Sequence, residues 1–204
     1  MKRDNIFWIG YSDLMTSLFF IMLVIAVITI RYWQNEEFLK KEQLKKIEEL
    51  QTAVQQLPAE YFDYQPKYKR FKLNKQIQFD KGKSDINPVY DDYLIKVGIS
   101  INNLISRLNE NPDYKKFDIK YLIVIEGMAS KDNFNRNFEL SYERSLSLYN
   151  LWRNNKINFN PEICELQIAG SGTGGIRVDS LNTEYKNQQF LIHIIPKMGK
   201  IIDK

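Results

Sequence analysis

The sequence predicts a single N-terminal transmembrane helix plus a juxtamembrane helix, followed by an α+β sandwich of order β-α-β-α-β-β. Three observations predict it. The stretch "FWIGYSDLMTSLFFIMLVIAVITI", from Phe7 to Ile30, holds no Lys or Arg, and about 20 such residues cross a bilayer core. The mean hydropathy of the whole chain is −0.42, so the apolar run is an exception in an otherwise water-compatible protein. Beyond it, stretches of strand period and helix period alternate. At 204 residues there is room for one ordinary domain and an anchor. The boundaries expected are 1–33 for the tail and span, 34–57 for the juxtamembrane helix, 58–72 for a linker and 73–204 for the domain.

The span reads as an uncleaved anchor. Lys2 and Arg3 suit a signal peptide, but the apolar run exceeds an h-region and passes into Arg31, Tyr32 and Trp33 without a small-residue cleavage site. The short basic tail predicts a cytoplasmic N-terminus, and the long C-terminal part can cross to the other side of the membrane regardless of its own charge. Tyr32 and Trp33 fall where interfacial aromatics belong, while Arg31 argues weakly against this orientation.

Within the span sits Asp13. Insertion scales charge an aspartate roughly 2.5–3.5 kcal/mol at a helix centre, and a carboxylate that persists there usually faces a partner helix or wet cavity and carries ions or protons. The bland reading is an interfacial residue that snorkels into water. Thr16 and Ser17 follow at three and four residues and so share its helix face. Hydroxyls beside a carboxylate can hydrogen-bond it or help coordinate a cation. One helix cannot enclose this stripe, so other transmembrane helices are expected, from copies of the chain or from a second protein.

From Gln34 to Leu57 the chain is charged and helical in character, with Leu44, Ile47, Leu50, Val54 and Leu57 spaced by three and four and with Glu37–Lys41 and Glu42–Lys46 as i,i+4 pairs. Two copies could pair through that stripe; the bland alternative is a solvated spacer. Residues 58–72, with Pro58 and Pro66, read as a linker. "KLNKQIQF" reads as a strand. "VYDDYLIKVGISINNLISRL" reads as an amphipathic helix burying Leu94, Val97, Ile101, Leu104, Ile105 and Leu108. "KYLIVIEG" is a strand, "FELSYERSLSLYNLWRNN" a helix with Leu140, Leu148, Leu151 and Trp152 inward, and "CELQIAG" and "QQFLIHIIP" are strands.

Composition excludes several classes. One cysteine rules out an intrachain disulfide, and Cys164 with the single His193 cannot form a metal site of the usual spacing; both read as core or surface residues. No Ser/His/Asp or Cys/His triad can be assembled, so the chain is not expected to be an enzyme. The net charge of +4 is mild and spread out, and no nucleic-acid partner is expected. "GSGTGG" contains Gly170, Gly172 and Gly175 in a G-x-G-x-x-G spacing. A dinucleotide site would need a helix opening there and an acidic residue about 20 positions on; "IRVDSLNTEY" follows instead, so the glycines read as a structural turn.

The run "YSDLMTSLFFIMLV" resembles the transmembrane signature of the B subunits of ion-driven stator units, the MotB/ZorB type found in the flagellar motor and in the Zorya anti-phage system. The Asp of that signature carries the translocated ion, so the resemblance gives Asp13 that role, with H⁺ or Na⁺ as the ion and no other cofactor. Residues from about 73 to 196 resemble the OmpA-like peptidoglycan-binding domain of the same family. "IQFDKGKSDINPVYDDYLIKVGISI" is similar to its opening strand, loop and helix. "IEGMASKDNFNRNFELSYERS" is similar to its signature "vEGHTD…sNwELSxxRa", with Asn137, Glu139, Leu140, Ser141 and Arg144 at matching positions, and "NQQFLIHI" is similar to its closing strand.

The departures lie in the binding loop. Aligned from Gly127, the family's His-Thr-Asp becomes Met128, Ala129 and Ser130. In the family that Asp holds the amino group of the stem peptide's diamino acid and the Arg holds its carboxylate. Arg144 keeps a guanidinium fork suited to a carboxylate. Ser130 brings no charge, and Asp132, two residues on in a shortened loop, is the candidate substitute; Gln188 and Gln189 stand where arginines are usual. The resemblance thus implies peptidoglycan contacts at Arg144, Asn137, Ser130 and Asp132. It also implies an inner-membrane complex with a multi-span A-type (ZorA/MotA-like) subunit and a second copy of the chain. The short tail before Phe7, the compact linker and Ser130 favour the Zorya type over the flagellar one; a structural envelope tether is the alternative from another class.

Overall fold

The computed structural model describes residues 3–112, 117–132, 134–177 and 181–201. The chain divides into two compact units, Met1–Lys46 and Ile47–Lys204. The first is the greater part of one helix, α1 (Arg3–Val54). No Pro interrupts it and its one glycine, Gly10, lies near the start, so the predicted continuation beyond the apolar run is observed. Leu18, Phe19, Ile21, Val24, Ile25 and Ile28 all stand exposed on it, an arrangement that apolar surface adopts only in hydrocarbon or against a partner. The helix is long and apolar enough to cross a membrane. Two ion pairs at i,i+4, Glu36–Lys40 at 2.7 Å and Glu37–Lys41 at 4.0 Å, decorate its polar stretch.

The second unit begins with the last turns of α1. Leu50, Ala53, Val54 and Leu57 are buried in the same apolar cluster as Phe62, Phe71 and the helices of the domain. This revises the expected stripe. Leu44 is exposed, but Leu50, Val54 and Leu57 are consumed by the domain's own core and are not free to pair with another copy.

Residues 58–72, expected as a linker, are instead largely a hairpin: β1 (Phe62–Gln65) and β2 (Arg70–Leu73) pair antiparallel around a turn with Lys69 at φ 49°. Phe62, Phe71 and Leu73 point one way and are buried, while Asp63 and Lys72 point the other, the period of two that a one-sided strand requires. The strand expected over 72–79 ends at Leu73; the chain beyond joins no ladder, although Ile77 is fully buried.

A short 3₁₀ turn capped by the Asn87 side chain leads into α2 (Asp91–Glu110), whose six predicted inward residues are all buried. β3 (Phe117–Gly127), α3 (Asn137–Asn154), β4 (Cys164–Gly170) and β5 (Phe190–Ile201) follow. The sheet order is β1-β2-β5-β3-β4, antiparallel except for β3 and β4, which are parallel and need a crossover such as α3 between them. Tyr121, Ile123 and Ile125 of β3 and Ile192 and Ile194 of β5 share a core with α2 and α3. Trp152 of α3 ties the two helices together by donating its indole N–H to the Leu94 carbonyl at 2.8 Å.

The parallel pair positions the site. β3 and β4 both end on glycine, and α3 lies flush against both ends. A Cβ on Gly127 would meet the Ser141 carbonyl oxygen at 2.1 Å, and one on Gly170 would meet the Tyr142 backbone nitrogen at 2.4 Å. The loops leaving both strands and the first turns of α3 therefore converge at one end of the sheet.

Candidate functional site

Arg144, two turns into α3, is buried. Its guanidinium lies 4.3 Å over the Phe79 ring, Nε donates to the Lys83 carbonyl at 3.3 Å, and Nη1 is buried with no hydrogen-bond partner among the described residues. Burial pulls the guanidinium down to about 10, against the opposing pull of the Asp132 charge. A desolvated cation with an unused donor is costly unless something accepts from it, and an anion is the group that fits.

Asp132 sits in the loop after β3 and is exposed. It accepts from Asn137 Nδ2 at 2.8 Å, from the Phe134 backbone N–H at 3.0 Å and from Ser130 Oγ at 3.3 Å. The Asn137 bond leads the causes that hold its carboxyl below the ordinary aspartate value, and the Phe134 and Ser130 bonds add to it. Ser130 in turn accepts from Gln188 Nε2 at 2.7 Å. Asn137 also donates to the Phe134 carbonyl at 2.9 Å.

The four residues singled out in this region thus come together in two roles. Arg144 and Asp132 present opposite charges, while Ser130 and Asn137 are turned inward to hold Asp132. Ser130 is occupied as a relay between Gln188 and Asp132 and is not presented to a ligand. The spacing from Gly127 identified the position but not its internal partner, because Gln188 lies 58 residues away in sequence.

The glycine-rich turn after β4 braces this loop. Gly172 N donates to Ser141 Oγ at 2.8 Å, and Ala129 N donates to the Gly172 carbonyl at 3.0 Å. Arg177 donates to the Ala129 carbonyl at 2.9 Å and pairs with Glu184, which also accepts from Lys131 N at 3.0 Å. The glycines serve a turn, as the sequence implied.

A second polar cluster, which the sequence did not signal, lies on the sheet face away from the helices. His193 bonds Glu126 at 2.7 Å, and buried Arg70 donates to Gln65 Oε1 at 2.9 Å and to the Ile176 carbonyl at 3.1 Å. Burial opposes ionisation of Glu126, but the bonds from His193 and Ser171 outweigh it and hold the carboxyl below its usual range. Only the antiparallel register, which sets His193 opposite Val124 and one step from Glu126, brings these residues together.

Asp13, Thr16 and Ser17 lie in the other unit, exposed on α1. Thr16 Oγ1 donates to the carbonyls of Ser12 at 2.8 Å and Asp13 at 2.9 Å. Its proton is therefore committed to the backbone and its oxygen offers lone pairs only. Among the described residues no group of three or more His, Cys, Asp or Glu side chains is arranged to hold a metal ion.

No protein-family profile and no curated protein sequence matches this chain. Among solved structures it is similar to the periplasmic domain of Helicobacter pylori MotB, at 16% identity and a TM-score of 0.41 over 62% of this chain and 74% of that one. It is similar to a putative MotB-like protein from Desulfovibrio vulgaris, at 13% identity and a TM-score of 0.44 over 77% and 96%. It is also similar to the peptidoglycan-associated lipoprotein of Burkholderia pseudomallei, at 12% identity and a TM-score of 0.37 over 59% and 88%. Each likeness is weak, and the chemistry of the site rests on its own residues.

Proposed function

We propose that this chain is the B-type subunit of an ion-driven inner-membrane stator unit, anchored to peptidoglycan through its α+β domain. The observation that carries the reading is Asp13, an ionisable group on a helix whose surroundings are otherwise apolar, with Thr16 and Ser17 beside it. A neutralised carboxylate is far cheaper in hydrocarbon than a charged one. Binding and release of H⁺ or Na⁺ at Asp13 would alternate that charge and shift the balance of contacts with the helices of a multi-span A-type subunit. A helix that served only to tether the domain would gain nothing from the carboxylate.

The domain supplies the anchor. The diamino acid of a peptidoglycan stem carries a carboxylate and an ammonium group. Buried Arg144, with its free Nη1, suits the first, and Asp132, held ionised by Asn137 and Ser130, suits the second. Asp132 thereby takes over, from two residues downstream, the charge that Ser130 lacks. That recast loop sets the chain apart from the flagellar signature and favours the Zorya-type, ZorB-like role in anti-phage defence.

The decisive experiment is Asp13→Asn, which keeps shape and hydrogen bonding but cannot ionise. The variant is expected to insert and assemble normally and to lose phage protection (or motility, in a flagellar setting) entirely. Full activity at normal membrane levels would overturn the ion-carrying role and leave a structural tether.

A further inference from the structure

The two edges of the sheet differ. β1, at one edge, is four residues long, carries exposed Asp63 and is followed by Pro66, the short, charged, proline-bounded form that keeps an edge from pairing. β4, at the other, runs seven residues as "CELQIAG" with no Pro, Lys or Arg, and among the described residues it has no neighbour on its outer side.

The direction of its free groups follows from the ladder. Tyr121 N donates to the Ile163 carbonyl at 2.8 Å, and β3 pairs with β4 in parallel with Tyr121 opposite Cys164. In a parallel pair alternate residues bond to one side, so 165, 167 and 169 face β3, and the N–H and C=O groups of Leu166 and Ile168 point outward. The Cys164 N–H also lies on the outer side but is taken by the Asn160 carbonyl. Beside this edge lies a groove of about 290 Å³ lined by Tyr149, Trp152, Phe159 and Leu166 among others.

We propose that the β4 edge pairs antiparallel with the β4 edge of a second copy, about a two-fold axis at Gln167. This register places Leu166 opposite Ile168 of the second copy, so that both residues with free backbone groups exchange both bonds. Gln167 meets itself and Glu165 meets Ala169, so no like charges oppose each other; Glu165 is already paired with Lys197 at 2.8 Å in its own sheet. A register centred on Leu166 would waste a bond on Cys164, and one centred on Ile168 would set Leu166 against Gly170. The side chain of Ile168 from the second copy arrives on the helix side, at the groove. An isologous contact of this kind closes on itself and cannot propagate into a fibre.

The inference rests on the reading that two copies share one complex, and the tests separate the two. The mass of the detergent-purified complex reads the copy number alone, and a single copy overturns both. In a two-copy complex of the unaltered chain, the Leu166 and Ile168 amides, which have no partner among the described residues, are expected to be strongly protected from hydrogen exchange. Exchange at free-amide rates overturns the edge pairing and leaves the copy number standing. Cysteine trapping gives an independent reading. In a Cys164→Ser background, Gln167→Cys places two Cα atoms about 4.5 Å apart across a non-hydrogen-bonded pair, within disulfide reach. Glu165→Cys places its pair about 13–14 Å apart, beyond reach, so mild oxidation is expected to give at least about tenfold less linked dimer. Equal cross-linking at 165 and 167, or none at 167, overturns the proposal.

Discussion

Arg144 concentrates the site's chemistry in one side chain. On the proposed wall-binding role, Arg144→Ala removes a charge-assisted contact of about 1.5–3 kcal/mol, so sedimentation with purified sacculi is expected to weaken roughly 10- to 100-fold. Arg144→Lys should not restore it, since a point charge does not reproduce the planar fork. Asp132→Asn should weaken binding similarly while leaving the fold intact, and binding unaltered by it would remove Asp132 from the site. Glu126 makes a prediction of a different kind. Its carboxyl is held below the ordinary value of 4.5, so the stabilisation it brings is fully present above that pH and is lost as pH falls through the lower folded-state value. The urea midpoint of the full chain in detergent is expected to be flat above about pH 5 and to fall below about pH 4.5, with Glu126→Gln flattening part of that fall. Arg144 and Asn137 were legible as a helix signature. Asp132 was legible only as a nearby charge, and the Glu126–His193 pair was not legible at all, because its partners are 67 residues apart and no local pattern encodes a cross-strand register.

Among the elements, the end of α1 is where stripe and core compete. Leu50 is fully buried and Leu44 is 61% exposed, though both sit on one heptad-like repeat. Leu50→Ala is therefore expected to cost about 2–5 kcal/mol in urea unfolding, and Leu44→Ala less than about 0.5 kcal/mol. Comparable losses at both would mean that the stripe pairs along its whole length. The sequence located α2 and α3 well, since long amphipathic periodicity is dictated by the face each helix buries. It missed the β1–β2 hairpin because Tyr, Lys and two prolines dominate residues 58–72, and only Phe62, Phe71 and Leu73 carry the alternation. Such short strands owe their place to the helix and strands they pack on, rather than to their own propensity.

Taken whole, the chain confines its two chemistries to separate compact units, Asp13 in Met1–Lys46 and Arg144 in Ile47–Lys204. The apolar span and the domain were both legible because each announces itself by composition over many residues; the division of the juxtamembrane helix between them was not, since its repeat is uniform and burial alone splits it. The separation has a genetic consequence. A substitution in one unit is expected to leave the other intact, so on the proposed stator role a chain with Asp13→Asn still folds its domain and still competes for a place in the complex. Expressed beside the unaltered chain, it is expected to be dominant and to depress phage protection in proportion to its dose. An Asp13→Asn chain that also carries Leu50→Ala, with its domain core weakened, should compete less well and be closer to recessive. Equal dominance of the two, measured at matched membrane levels, would show that incorporation depends on the span alone.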